Sequence, residues 1–288
     1  MDVGFDGGLH SSALHQYSRD GGVVELLTVS TDQWNAWISQ FFLPLTRILG
    51  MLATAPVIGQ TPVPIQTRLG LGVALTLVIA PLLTPSEASV SLASLTGAWL
   101  LIQQLMVGLM LGFMVNLIFA AVTMAGEFAG LQMGLGFASF YDPVHAAFQP
   151  VVAQFLNILF SLIFITLDGH LQVIHALVET FHQIPIDPVM QLHAQGWQTG
   201  LMWAVSLFVD SLRLSLPVLT AMLITNLGLG VLNRSAPQLN LFAVGFPVTL
   251  AVGFIILELA LPNLPTFVAR MTQESLEAAL HVVTDLVH

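Results

Sequence analysis

Residues 88–126 lie between Glu87 and Glu127 and contain no charged side chain. If helical throughout, those 39 residues reach ~58 Å at 1.5 Å per residue. The hydrocarbon core of a bilayer needs only ~30 Å. The run is too apolar for a solvated element and nearly twice as long as one crossing requires. It therefore demands a fold in which a long apolar helix is covered by something other than water.

Charges punctuate the rest of the chain into further apolar runs. Residues 33–67 are broken only by Arg47, and residues 69–86, 143–167 and 235–257 carry no charge. Residues 197–232 are interrupted by Asp210 and Arg213. Six membrane spans is the simple reading, but the arginines do not orient them. Alternating six spans puts Arg68 and Arg234 on one side and Arg19 and Arg270 on the other, a tie under the positive-inside rule. Arg47 inside an apolar run and prolines at 44, 56, 81, 217 and 247 strain the simple bundle further. Bent backbone at membrane depth is tolerated where protein or water covers it. An all-α assembly of membrane-associated helical hairpins, largely buried by protein, accommodates all three features.

The termini differ from this apolar body. Residues 1–27 are expected to be a disordered tail, with no positive n-region or apolar h-region of a cleavable signal. Residues 28–262 form the helical domain. In residues 263–288, Glu274, Glu277, His281, Asp285 and His288 recur at helical spacing opposite Met271, Leu276, Leu280, Val283 and Val287. That is an amphipathic terminal helix.

Composition excludes several chemistries. The chain is 56% hydrophobic and 8% charged, against roughly 25% charged for a soluble domain. All six basic residues are arginine, so no phosphate-loop lysine or Schiff-base lysine exists. The absence of cysteine removes disulfides, thiol catalysis and thiolate metal ligands. A net charge of -10 without a basic cluster argues against nucleic acid and against polybasic docking to anionic lipid. His175, Glu179 and His182 share one helix face, but a di-iron bundle needs two Glu-x-x-His motifs and only one is present. Asp168-Gly169-His170 reads as the turn after an apolar helix, and no Gly-x-Ser-x-Gly nucleophile motif occurs. Neither catalysis, a metal nor a cofactor is expected.

Four charges in apolar surroundings stand out: Arg47, Glu127, Asp210 and Arg213. Asp210 and Arg213 lie three apart and can pair on one helix face. Arg47 and Glu127 need partners on other helices or another subunit. A structural role is preferred to a proton relay because no acidic chain runs from span to span.

Glycine marks the next feature. Gly126, Gly130 and Gly134 form overlapping G-xxx-G patterns, and Gly108 and Gly112 form another. Such spacing lets helix backbones approach closely, and Gly126 and Gly130 are read as packing positions. Met106, Met110, Met114, Met124 and Met133 at helical spacing read as core filling. Gly136 breaks the glycine spacing and Asp142-Pro143 marks a turn. The helix is expected to end near Gly134 and to lead into an apolar loop bearing Phe137, Phe140 and Tyr141.

Four stretches carry a specific resemblance: TRILGMLATAPVIGQTPVPIQTRLGLGVALTLVIAP from residue 46, AGEFAGLQMGLGFASFYDP from 125, LDGHLQVIHALVETFHQIP from 167 and LGLGVLNRSAPQLNLFAVGFPVTL from 227. In order and spacing they resemble the FliR family of flagellar type III export-gate subunits, over roughly residues 28–270. The resemblance implies a single-copy subunit, similar to a fusion of P-like and Q-like hairpins. It would assemble with FliP and FliQ, with FlhB outside, in contact with membrane lipid at the bacterial inner membrane. It also implies that the loop matching Gly134, Leu135, Gly136, Phe137, Ala138, Ser139, Phe140, Tyr141 and Asp142 plugs the closed channel against passage until an unfolded substrate displaces it. Energy would come from the proton-motive force and an associated ATPase. A secondary transporter for a small solute is the alternative, and it would require an inverted repeat; no convincing one is visible.

Overall fold

The computed structural model describes residues 31–56, 63–83, 94–136, 150–186, 194–236 and 241–287. Among the described residues there are helices and no strands: α1 (Thr31–Thr54), α2 (Ile65–Ile79), α3 (Leu95–Gln132), α4 (Val151–Thr166), α5 (Gly169–Gln183), α6 (Ala194–Ser235), α7 (Leu241–Ala260) and α8 (Leu264–Val287). A 3-10 turn, Ala80–Leu82, extends α2, and a second, Leu261–Asn263, joins α7 to α8.

The long uncharged run becomes α3, and the fold is built around it. Ser94 starts the helix by accepting a hydrogen bond from the Gly97 N–H at 3.0 Å, which satisfies one of the orphan donors of the first turn. Helices α1, α4, α6 and α8 all pack on α3. Its buried residues, such as Met110, Gly112, Ile118, Phe119 and Ala121, therefore face several directions. A helix that is apolar all round is one covered on most sides.

Where α1 crosses α3 the backbones nearly touch. A Cβ placed on Gly108 would fall on the Arg47 carbonyl, and one on Gly112 would meet the Met51 carbonyl and the Thr54 hydroxyl. From the other side, a Cβ on Gly50 would lie 2.9 Å from the Leu105 carbonyl oxygen. The Thr54 hydroxyl can then donate to the Leu109 carbonyl oxygen at 3.1 Å. Close approach of this kind gains dispersion contact on both sides of the crossing.

Helices α4 and α5 form a broken pair bent by 67°. Asp168 adopts φ 55° at the break, and Gly169 lies directly under the Phe164 ring. Phe119 of α3 holds α4 through edge-on contacts with Phe160 (4.8 Å between centroids) and Phe164 (5.6 Å).

Helix α6 runs against α3, α7 and α8, but its far end leaves the body. Leu223, Ile224, Leu227 and Val231 are exposed, and nothing lies within 4 Å of a Cβ built on Gly228 or Gly230. The amphipathic α8 is integral to the core: Val268, Met271, Ala279, Val282 and Leu286 are buried, while Glu274, Glu277 and His281 face outward.

Among the described residues four helices are long and apolar enough to cross a membrane, or five if the bent α4–α5 pair counts as one. Within residues 33–67, α1 ends at Thr54, where the chain leaves helical geometry at Ala55 and Pro56; the apolar part of α1 among the residues whose side chains are described is Ile38–Thr54. The most apolar window of α3 is 61% buried within the chain, against 17% for that of α6. Hydropathy alone reads these two alike, whereas α3 is covered by protein and α6 offers its apolar surface outward.

Candidate functional site

The segment read from the sequence as an apolar loop begins at the C-terminal end of α3. Gln132 is the last helical residue and Met133 the C-cap. The Met133 N–H reaches the Ala129 carbonyl oxygen at 3.0 Å, and the Gly134 N–H reaches that of Leu131 at 3.1 Å. Gly134 has φ 81°, a left-handed conformation that costs a side-chain-bearing residue ~1–2 kcal/mol. Leu135 and Gly136 continue in a 3-10 turn. Of the sequence-predicted plug residues, Phe137, Ala138, Ser139, Phe140, Tyr141 and Asp142 lie outside the described residues.

The two packing glycines behave differently. A Cβ on Gly126 would overlap the Cα of Ala153, at the start of α4. This close approach brings together the two helices on either side of residues 137–149. At Gly130 a Cβ would meet Val152 at 3.6 Å, an ordinary contact. Met110, Met114 and Met133 are buried in the common core.

Arg47 is fully buried, and its partners are neutral. Its Nε donates to Gln104 Oε1 at 2.8 Å, Nη1 to the Thr180 carbonyl at 2.8 Å, and Nη2 to the Ile184 carbonyl at 3.1 Å. Thr180 and Ile184 stand at the C-terminal end of α5, where the helix dipole presents partial negative charge. The guanidinium carbon also lies 4.1 Å from the Phe181 ring centroid, a cation–π contact strengthened by desolvation. One side chain thus ties α1 to both α3 and the end of α5, using all three nitrogens of the planar fork. Sequence reasoning flagged Arg47 but missed Gln104 and Thr180. The adjacent pair Gln103-Gln104 inside an otherwise apolar run was the available signal.

The other flagged charges are distributed unevenly. Asp210 is buried, with its side chain 7% exposed, and accepts from Arg213 Nη1 at 3.0 Å. The Arg213 side chain is 64% exposed, so it is not a buried charge. Residues three apart share a face but need not share a depth. Asp210 has a second basic neighbour on α8, Arg270, at 3.8 Å, which in turn lies 3.6 Å from Glu274. This chain of charges links α6 to α8. Glu127 is only half-buried and makes no ion pair among the described residues.

His175 and Glu179 line an open groove of about 410 Å³ between α5 and α8, with Leu171, Leu276 and Glu277. His182 is exposed beyond it. Among the described residues no three His, Cys, Asp or Glu side chains converge as metal ligands would.

The sequence matches the family described as bacterial export proteins, family 1, over residues 38–275. It is 43% identical over 265 residues to the flagellar biosynthetic protein FliR of Pectobacterium carotovorum subsp. carotovorum, covering 91% of this chain and 99% of that one. Identity to the FliR of Escherichia coli (strain K12) is 38% over 263 residues, with the same coverage. Even the more distant FliR of Bacillus subtilis (strain 168) is 29% identical over 226 residues, or 75% of this chain. The family match runs from within α1 to midway along α8, and so takes in the Arg47 tie, the end of α3 and the Asp210 network alike: the chain belongs to the bacterial export proteins, family 1.

Proposed function

We propose that this chain is a component of the flagellar protein export apparatus, helping to form and close the channel through which unfolded flagellar proteins cross the bacterial inner membrane. The observation that carries this reading is coverage: the alignment takes in 99% of two relatives named flagellar biosynthetic protein FliR. The exposed apolar flanks of α2, α6 and α7 support a membrane setting with neighbouring subunits or lipid against them. Nothing comparable supports the solute-transporter alternative.

Within this reading the chain is a conduit part and not an enzyme. FliP, FliQ and FlhB are its partners, residues 28–262 are the gate domain, and residues 263–288 close that domain as its amphipathic last helix. Residues 134–142 form the plug, with Gly134 at φ 81° supplying the bend by which it departs from α3. Apolar bulk in such a loop keeps a closed pore dry. Arg47 and Asp210 hold helices together; they do not relay protons.

Deletion of the gene tests the reading directly. The deletion strain is expected to lack filaments and to secrete no hook or filament subunits, with both restored by a wild-type copy. Normal secretion in the deletion strain contradicts the reading. Co-purification of the tagged chain with FliP, FliQ and FlhB, with stoichiometry from native mass spectrometry, tests the partners separately.

A further inference from the structure

A helix far away in sequence holds the end of α3. The last carbonyls of a helix have no donor within it, and that of Met133 is met by the Thr249 hydroxyl of α7 at 3.2 Å. The same hydroxyl lies 2.9 Å from the Phe246 carbonyl oxygen. With one proton to give, it serves the two acceptors by turns. One helical turn further along, Gly253 receives the Met133 side chain. A Cβ at position 253 would stand 2.8 Å from both Sδ and Cε of that methionine. Met133 is fully buried, and its Cγ lies nearer still to that Cβ, at 2.5 Å, so moving the thioether end alone does not clear the contact. Thr249 and Gly253, four apart, present one face of α7. The residue they grip is followed immediately by Gly134 at φ 81°. The opposite side of α7, with Phe254, Ile255 and Leu259, is exposed.

We infer that Thr249 and Gly253 are positioning residues for the loop that begins at Gly134: they seat Met133 and so set the direction in which the loop leaves α3. The functional consequence rests on the plug reading above. The seat places the loop relative to α7, so a shift of α7 moves the loop's root. Glycine at 253 is required by the space Met133 occupies.

The chain has no cysteine, so the contact can be read in the assembled complex with Met133→Cys and Gly253→Cys together. Oxidation is expected to give an intramolecular crosslink that reductant reverses. Gly253→Leu is expected to expel Met133 and raise the ion conductance of the reconstituted complex several-fold at unchanged complex yield. Adding Met133→Ala, which vacates the space, should bring the conductance back toward wild type. If Gly253→Leu prevents assembly, Gly253→Ala and Thr249→Val are read in the same way. Deletion of residues 135–141 is the companion measurement. A leaking deletion beside a sealed Gly253→Leu complex overturns the seat and leaves the plug standing. A sealed deletion overturns the plug, and the positioning role falls with it. Absence of the crosslink in the assembled complex overturns the seat whatever the conductance.

Discussion

Replacing Arg47 by lysine keeps the charge and removes the fork. In the native fold Nε, Nη1 and Nη2 reach four acceptors on two helices: Gln104 on α3, and the Thr180 carbonyl and hydroxyl oxygens with the Ile184 carbonyl at the end of α5. A lysine ammonium is a single point and cannot stand at both places. If it reaches the end of α5 it forfeits Gln104 and one of the carbonyls. Two hydrogen bonds to a charged group, at ~1.5–3 kcal/mol each, give a loss of ~3–6 kcal/mol. Arg47→Met removes the charge along with the bonds. The Thr180 carbonyl then keeps its other donor, the Ile184 N–H at 3.0 Å. Gln104 Oε1 and the Ile184 carbonyl are left orphaned at ~1–3 kcal/mol each, offset by release of the several kcal/mol spent desolvating the guanidinium. The expected order of stability is therefore wild type, then Met, then Lys. The thermal midpoint of the purified complex in detergent, with complex yield alongside, reads that order. A lysine variant as stable as wild type would show that the three-way tie contributes nothing.

Three further outcomes follow from the geometry. Gly126→Ala should sharply reduce complex yield, because the added carbon meets the Ala153 backbone, whereas Gly130→Ala should be tolerated or gain up to ~1 kcal/mol from helix propensity; the reverse ranking by yield and thermal midpoint would refute the packing account. Arg213→Ala should cost ~1 kcal/mol or less, as expected for an exposed partner, while Arg213→Ala with Arg270→Ala strands the buried Asp210 carboxylate and should cost ~3–5 kcal/mol, read as thermal shifts of the same complex. Expressed alone, the chain should aggregate or be degraded because of its exposed apolar flanks, and co-expression with its partners should rescue it; a monodisperse, protease-resistant monomer in detergent would contradict this.

Helix periodicity made much of this fold legible, and tertiary partners made the rest illegible. The alternation of Glu274 and Glu277 with Met271 and Leu276 marks α8 in the sequence itself, and the burial of Met271 and Leu276 follows it. The break in glycine spacing after Gly134 marks where α3 stops, and the φ of 81° there gives the physical reason. Apolar length marked the long helices but not their surroundings, because hydropathy cannot tell a helix wrapped by protein, such as α3, from one facing outward, such as α6. Arg47 resisted interpretation for a related reason. Its counter-charge is a helix end more than a hundred residues away, with no acidic residue for a pattern search to find. Arg213 shares a face with Asp210, as the spacing requires, yet it lies on the exposed side of that face. Thr249 and Gly253 carry no local signal at all, since their significance lies in what Met133 occupies.

The conductance of the assembled complex lacking residues 135–141 tests the central claim most directly. Planar-bilayer recording of the purified complex, with composition verified by native mass spectrometry, separates a failure of closure from a failure of assembly. If the loop beginning at Gly134 is the plug of an export gate, the shortened complex forms with all its subunits and passes ions that the wild-type complex excludes. A fully assembled complex that remains sealed without those residues would contradict the account.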